Sequence, residues 1–128
     1  MERKLVSSGA IFEEKIGFSR AVRVGAHIAV SGTAPIAPGG GVACPGDLYG
    51  QTLRCLAIIE KAINDAGAKR EHIIRTRIYL TEMANWEEAG RAHGEFFKGI
   101  RPASTMIQIV QAIDPGWLVE IEADAIVA

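Results

Sequence analysis

The chain has 128 residues, a formal net charge of −1, 48% hydrophobic and 23% charged residues, and a mean hydropathy of +0.15. That is the profile of one soluble globular domain over 1–128, long enough for a single core. A near-neutral chain without a basic run lacks the footprint of a nucleic-acid binder, and no apolar run reaches the ~20 residues of a membrane span.

Met1 to Val6 lacks the long apolar region of a secretory leader, so the cytoplasm is the expected compartment. Leu5-Val6 opens a short edge strand. Phe18 to Val24 alternates in polarity, Gly25-Ala26 reads as a hairpin turn, and His27 to Ser31 returns as the second strand. Gly32 to Gly46 is a loop rich in Gly and Pro. From Asp47 the period becomes helical, with Leu48, Thr52, Leu53, Leu56, Ile59, Ile63 and Ala66 on one stripe. Asp47 is the expected N-cap and Gly67 the left-handed residue that ends the helix. Ile73 to Thr81 is a strand, with Ile74, Thr76, Ile78 and Leu80 on one face and Arg75, Arg77 and Tyr79 on the other. Asn85 to Lys98 is a second helix, whose stripe carries Trp86, Ala89, His93 and Phe97. Ser104–Val110 and Leu118–Val127 close the chain as a strand pair joined through Asp114-Pro115-Gly116.

This order is an α+β pattern, with two helices available to cover one face of a mixed sheet. The last strand shows what the other face must do. Val119, Ile121, Ala123, Ala125 and Val127 form one side and can pack under helices, whereas Glu120, Glu122 and Asp124 put three acids on the side facing water, a ligand or another subunit. Cys44 and Cys55 lack CxxC spacing, and the three histidines lack HxH or HxxxH spacing, so neither a disulfide nor a metal site is expected. Gly39-Gly40-Gly41 is followed by neither Lys-Ser/Thr nor an immediate helix and is not a phosphate loop.

Five blocks in order carry a resemblance. They are Gly17 to Val22; Val30-Ser31-Gly32 with Pro35; Asp47 with Gln51; Thr81-Glu82-Met83 with Glu95-Phe96-Phe97; and Arg101-Pro102-Ala103-Ser104-Thr105-Met106 followed by Val119-Glu120-Ile121-Glu122-Ala123. Together they resemble the Rid (reactive intermediate deaminase, YjgF-type) family, some of whose members are labelled endoribonuclease L-PSP. The resemblance implies a chorismate-mutase-like fold: a mixed sheet of about six strands with two helices on one face. It also implies a homotrimer with small-molecule clefts between subunits, and no metal or organic cofactor. Family enzymes hydrolyse 2-imino and enamine acids to 2-oxo acids and ammonia; other members carry endoribonuclease or translation-inhibitor labels.

By this alignment Glu120 stands at the family's water-positioning glutamate. Ser104 replaces the arginine that holds the substrate carboxylate. A guanidinium grips a carboxylate through two parallel charge-assisted hydrogen bonds, and a serine hydroxyl cannot. Losing such a contact in a desolvated site costs about 2–5 kcal/mol of binding. Met106 on the same strand face, and Phe18 where the family has tyrosine, also make the cleft less polar. Arg20 and Arg101 are the candidates to compensate, and Ser31 and Gly32 end a strand where a ligand could approach the backbone. Three readings follow: a hydrolase or deaminase of altered specificity acting on C=N or related groups, a non-catalytic ligand-binding or regulatory protein, and an endoribonuclease or translation inhibitor. The near-neutral charge and few aromatic residues count against the last.

Overall fold

A computed structural model describes residues 2–128. Its elements run β1 (Arg3–Val6), α1 (Ile11–Ile16), β2 (Ala21–Val24), β3 (His27–Thr33), α2 (Leu48–Asp65), β4 (Ile73–Leu80), α3 (Trp86–Phe96), β5 (Ala103–Gln108) and β6 (Val119–Ile126). The six strands form one sheet in the order β1-β2-β3-β6-β4-β5. All neighbours are antiparallel except β4 and β5. The α+β class and the six-stranded mixed sheet are those expected.

The core lies between the sheet and α2. Leu56, Ile59 and Ile63 of α2 meet Ile28, Ile78, Leu80, Val119, Ile121 and Ala125 of the strands, all buried. Asp47 caps α2 by accepting from the Gly50 amide at 3.0 Å, which satisfies one of the orphan donors of a helix start. Beyond its end Gly67 adopts φ +88°, a left-handed conformation that favours glycine. Among the described residues neither α2 nor α3 covers the opposite face of the sheet. There Arg77 meets Asp124 at 3.3 Å, the Tyr79 hydroxyl donates to Glu122, and His27 lies 3.7 Å from Asp124.

Four expectations change. First, the terminal strands are not a pair. β6 inserts between β3 and β4, and β5 pairs with β4 in parallel at the sheet's edge, because the loop after β5 is long enough to cross over. Second, Ile74 does not share the core face of β4. The register slips between Ile73 and Arg75, so Ile73 takes the buried place and Ile74 is 47% exposed, as an extra residue in a β-bulge requires. Third, Trp86 leaves the buried stripe of α3 and is 49% exposed, while Ala89 and Phe97 stay in the core. Fourth, residues 11–16 form a short helix that polarity alone does not announce. It closes at Gly17, φ +89°, whose amide donates to the Glu13 carbonyl at 2.9 Å.

Candidate functional site

Residues singled out in the sequence fall into two groups, one at each side of the sheet. The first surrounds Glu120. β6 presents Val119 and Ile121 to the core and therefore Glu120 to the other face. The strand's entry is fixed by buried Gln51, whose amide donates to the Gly116 carbonyl and accepts from the Leu118 amide, both at 2.9 Å. Beside Glu120, β3 breaks register between Val30 and Thr33. Gly32 sits in that break, and a Cβ there would lie 3.4 Å from the Glu120 carboxylate. Ser31 is nearby, but its hydroxyl is engaged, donating to the Ser19 carbonyl at 2.7 Å.

Arg20 ties this region together. Its side chain is almost fully buried. Nη1 donates to the Gly32 carbonyl at 2.9 Å and to the Thr33 hydroxyl at 3.0 Å. The guanidinium lies 5.4 Å from the Phe18 ring centre, within cation–π range. Nε is buried without a hydrogen-bond partner and lies 4.0 Å from the carboxylate of Glu13. Glu13, on α1, is buried as well. Burial alone would raise its pKa, yet the hydroxyl and amide of Ser8, the Ser7 hydroxyl and Arg20 together hold it below the usual carboxylate range. For Glu120 the balance is reversed: burial raises its pKa, and Arg20 only partly opposes the rise. Two carboxylates therefore flank one guanidinium with opposite shifts, the pattern that separates a fixed anion from a proton acceptor.

Phe18, Arg20, Gly32 and Glu120 share one cleft of about 680 Å³. Its other walls come from α1, the loop after β3, the outer side of α2 and Trp117. Phe12 closes one end by packing edge-on against Trp117 at 5.9 Å.

The second group is on β5. Ser104 pairs with Thr76, whose side chain is buried among the core residues of β4, so Ser104 and Met106 point to the helix side. Arg101 and Pro102 line a separate hollow with His93, Phe97 and Lys98. Arg101 takes φ +53°, a left-handed conformation unusual outside glycine. Glu120 pairs with Tyr79, three residues along β4 from Thr76, and β4 separates β6 from β5. Strand geometry puts the Cα atoms of Glu120 and Ser104 about 14 Å apart, on opposite faces. Within one chain they share no cleft.

The sequence reading missed Glu13, Thr33 and Thr76. Glu13 stands in the unannounced helix, and the contacts of the two threonines depend on strand register. Among the described residues no group of three His, Cys, Asp or Glu side chains could hold a metal ion, and no helix is long and apolar enough to cross a membrane.

The family described as endoribonuclease L-PSP matches residues 10–127. The chain belongs to that family. It is the Rid, or YjgF, family that the signature blocks resemble. A Mycobacterium tuberculosis member of the YjgF/YER057c/UK114 family superposes with a TM-score of 0.89 at 43% identity, over 98% of this chain and 100% of that one. An uncharacterized protein of Streptomyces coelicolor is 37% identical over 120 residues, 94% of this chain and 89% of its own. The mouse protein named 2-iminobutanoate/2-iminopropanoate deaminase is 28% identical over 109 residues, 85% of this chain and 80% of its own. The Rid domain described here thus keeps the family's fold while Ser104 follows Pro102-Ala103 at the start of β5.

Proposed function

We propose that this Rid-family chain is a homotrimer that binds a small metabolite in clefts between subunits and hydrolyses a C=N or enamine bond less acidic than a 2-imino acid. The observation that carries the reading is Glu120: a carboxylate with its pKa raised by burial, beside a register break and a buried arginine, on the wall of a cleft. A carboxylate so placed can orient water over an imine carbon and take its proton as the C–O bond forms. Glu120 returns that proton to the imine nitrogen to complete the carbinolamine, then takes the hydroxyl proton and hands it to the same nitrogen as the C–N bond breaks, so the nitrogen leaves as ammonia. Water and imine become carbonyl and ammonia, with nothing left over.

The separation of Glu120 from Ser104 supports the inter-subunit cleft, since the family's two key positions can meet only if a second copy brings its β5 edge to the first copy's β6 face. Exposed Ile107 and Ile126 on the face that α2 and α3 leave uncovered suit such a neighbour. Arg20 is the positive group on the Glu120 side, but Nη1 is committed to Gly32 and Thr33 and the cation is shared with Glu13. It therefore serves the bulge and Glu120 before it serves a ligand carboxylate.

The test is ammonia release from 2-iminopropanoate and from its uncharged amide analogue, each generated in place. Faster turnover of the uncharged compound is expected. Turnover of 2-iminopropanoate at the rate of an arginine-bearing relative would refute the altered specificity. Stabilisation by the compounds without turnover would make the protein a binder.

A further inference from the structure

The helix side of β5 holds a hydrogen-bonded chain of three side chains that the reaction above does not use. The Ser104 and Thr76 hydroxyl oxygens are 2.8 Å apart, and the Thr76 oxygen is 2.8 Å from Nε2 of His93. Ser104 is exposed, Thr76 fully buried and His93 half-buried. The parallel register of β4 and β5 sets the two hydroxyls side by side, and α3 brings the imidazole over them. The His93 ring also packs against Phe97, with ring centres 4.6 Å apart.

We propose that Ser104, Thr76 and His93 form a relay in which His93 is a positioning residue, setting whether Ser104 donates to or accepts from an uncharged polar group of the ligand. This rests on the reading that Ser104 faces the ligand cleft. A threonine hydroxyl has one proton, so only two proton orders satisfy the chain. In the first, Ser104 donates to Thr76 and Thr76 donates to Nε2, and Ser104 turns only lone pairs to the cleft. It then accepts from a ligand N–H. In the second, Nε2–H donates to Thr76 and Thr76 to Ser104, freeing the Ser104 proton for a ligand carbonyl. Neutral imidazole permits both orders, and imidazolium permits only the second. The Ser104 and Thr76 hydroxyl protons turn round while Nε2 takes its proton from solvent, so a change at the ring is felt about 6 Å away at the cleft without any movement of the backbone.

Burial disfavours the charged ring and holds the His93 pKa below its ordinary value. The charged groups on the surrounding elements are Arg91 and Glu95 on α3, Lys98 and Arg101 in the adjoining hollow, and Arg75 and Arg77 on the far face of β4. The ring's hydrogen bond goes to none of these but to Thr76. A family arginine at this position would instead hold a fixed positive charge. The relay suits a group that is neutral and either donor or acceptor, such as an amide.

The experiment is a pH titration of the full-length protein with 15N-labelled histidine, followed by NMR, with His93 assigned by His93→Asn. In the imidazolium state Thr76 must donate its hydroxyl hydrogen bond to Ser104. Ser104→Ala removes that acceptor, so the His93 midpoint should fall by about half a unit, the equivalent of roughly one weak hydrogen bond. Thr76→Val should lower it at least as far, and Thr76→Ser should restore it if the valine variant does not fold. Ser104 is exposed on an edge strand, so its alanine variant tests the relay independently of core packing. An unchanged midpoint in Ser104→Ala overturns the relay. A second arm uses pyruvamide as probe. Its affinity should change several-fold across the His93 midpoint in wild type and be flat over the same range in Ser104→Ala. A flat wild-type profile overturns the role in ligand recognition. No binding of pyruvamide at any pH overturns that role together with the cleft reading, while the ligand-free titration still decides the relay.

Discussion

Replacing Arg20 by glutamine removes the one cation buried between Glu13 and Glu120. Arg20 is 6% exposed, its side chain and that of Glu13 being 7% and 6% exposed in the pair. The substitution takes away two hydrogen bonds, to the Gly32 carbonyl and the Thr33 hydroxyl, and leaves Glu13 as a buried anion supported only by Ser7 and Ser8. Breaking a buried pair by removing one partner costs about 3–5 kcal/mol, mostly from the charge left behind. The glutamine amide can recover one of the hydrogen bonds, so about 2–4 kcal/mol is expected from Arg20→Gln. The assay is urea unfolding at fixed protein concentration, read as a lower midpoint at unchanged slope. Glu13→Gln added to Arg20→Gln should give back part of the loss, with a coupling of at least about 1 kcal/mol. The pH dependence gives an independent sign. Glu13 has a folded pKa below its unfolded one, so its contribution is complete above the ordinary carboxylate range and is lost as pH falls through the folded value. Without Arg20 that loss should begin at higher pH. A cost under about 0.5 kcal/mol, or additive effects of the two substitutions, would refute the account of a buried, interdependent pair.

Other outcomes follow from the same geometry. Glu120→Gln should lower hydrolysis at least ~100-fold at unchanged melting temperature. In wild type the activity should fall with acid through a pKa above the usual carboxylate range, because burial raises Glu120; Arg20→Gln should move that inflection higher still, since Arg20 is the group that lowers it. Ser104→Arg should raise activity on 2-iminopropanoate about 30-fold or more, the inverse of a lost charged contact. Gly67→Ala should cost about 1–2 kcal/mol in thermal unfolding, since φ is +88° and a Cβ would stand 3.0 Å from Arg23 Nη1.

Much of the fold was legible because its signals are local. The α2 stripe, the Asp47 cap, the Gly67 stop and the two faces of β6 each follow from residues near one another in sequence. What was not legible depends on pairing. Polarity cannot say that β6 enters between β3 and β4, and so the last two strands read as neighbours. It cannot place a bulge either: Ile74 and Ile73 are equally apolar, and only the partner strand decides which is buried. The site divides the same way. Glu120, Phe18, Gly32 and Arg20 were reached from the alignment and do share a cleft. Glu13 stayed hidden because its partner, Arg20, lies outside its helix, just before β2, and Thr76 because it meets Ser104 through parallel register and His93 from an overlying helix.

The claim on which the rest depends is that Glu120 and Ser104 meet across a subunit boundary. It is tested by placing cysteines at both positions, with Cys44 and Cys55 replaced by serine and alanine, and treating the folded protein with a short dimaleimide. Opposite faces of one sheet forbid an intrachain bridge, so denaturing gels should show covalent species at two and three times 13.7 kDa. Light scattering should give the trimer mass before treatment. Complete reaction that leaves only the single-chain band would contradict the account.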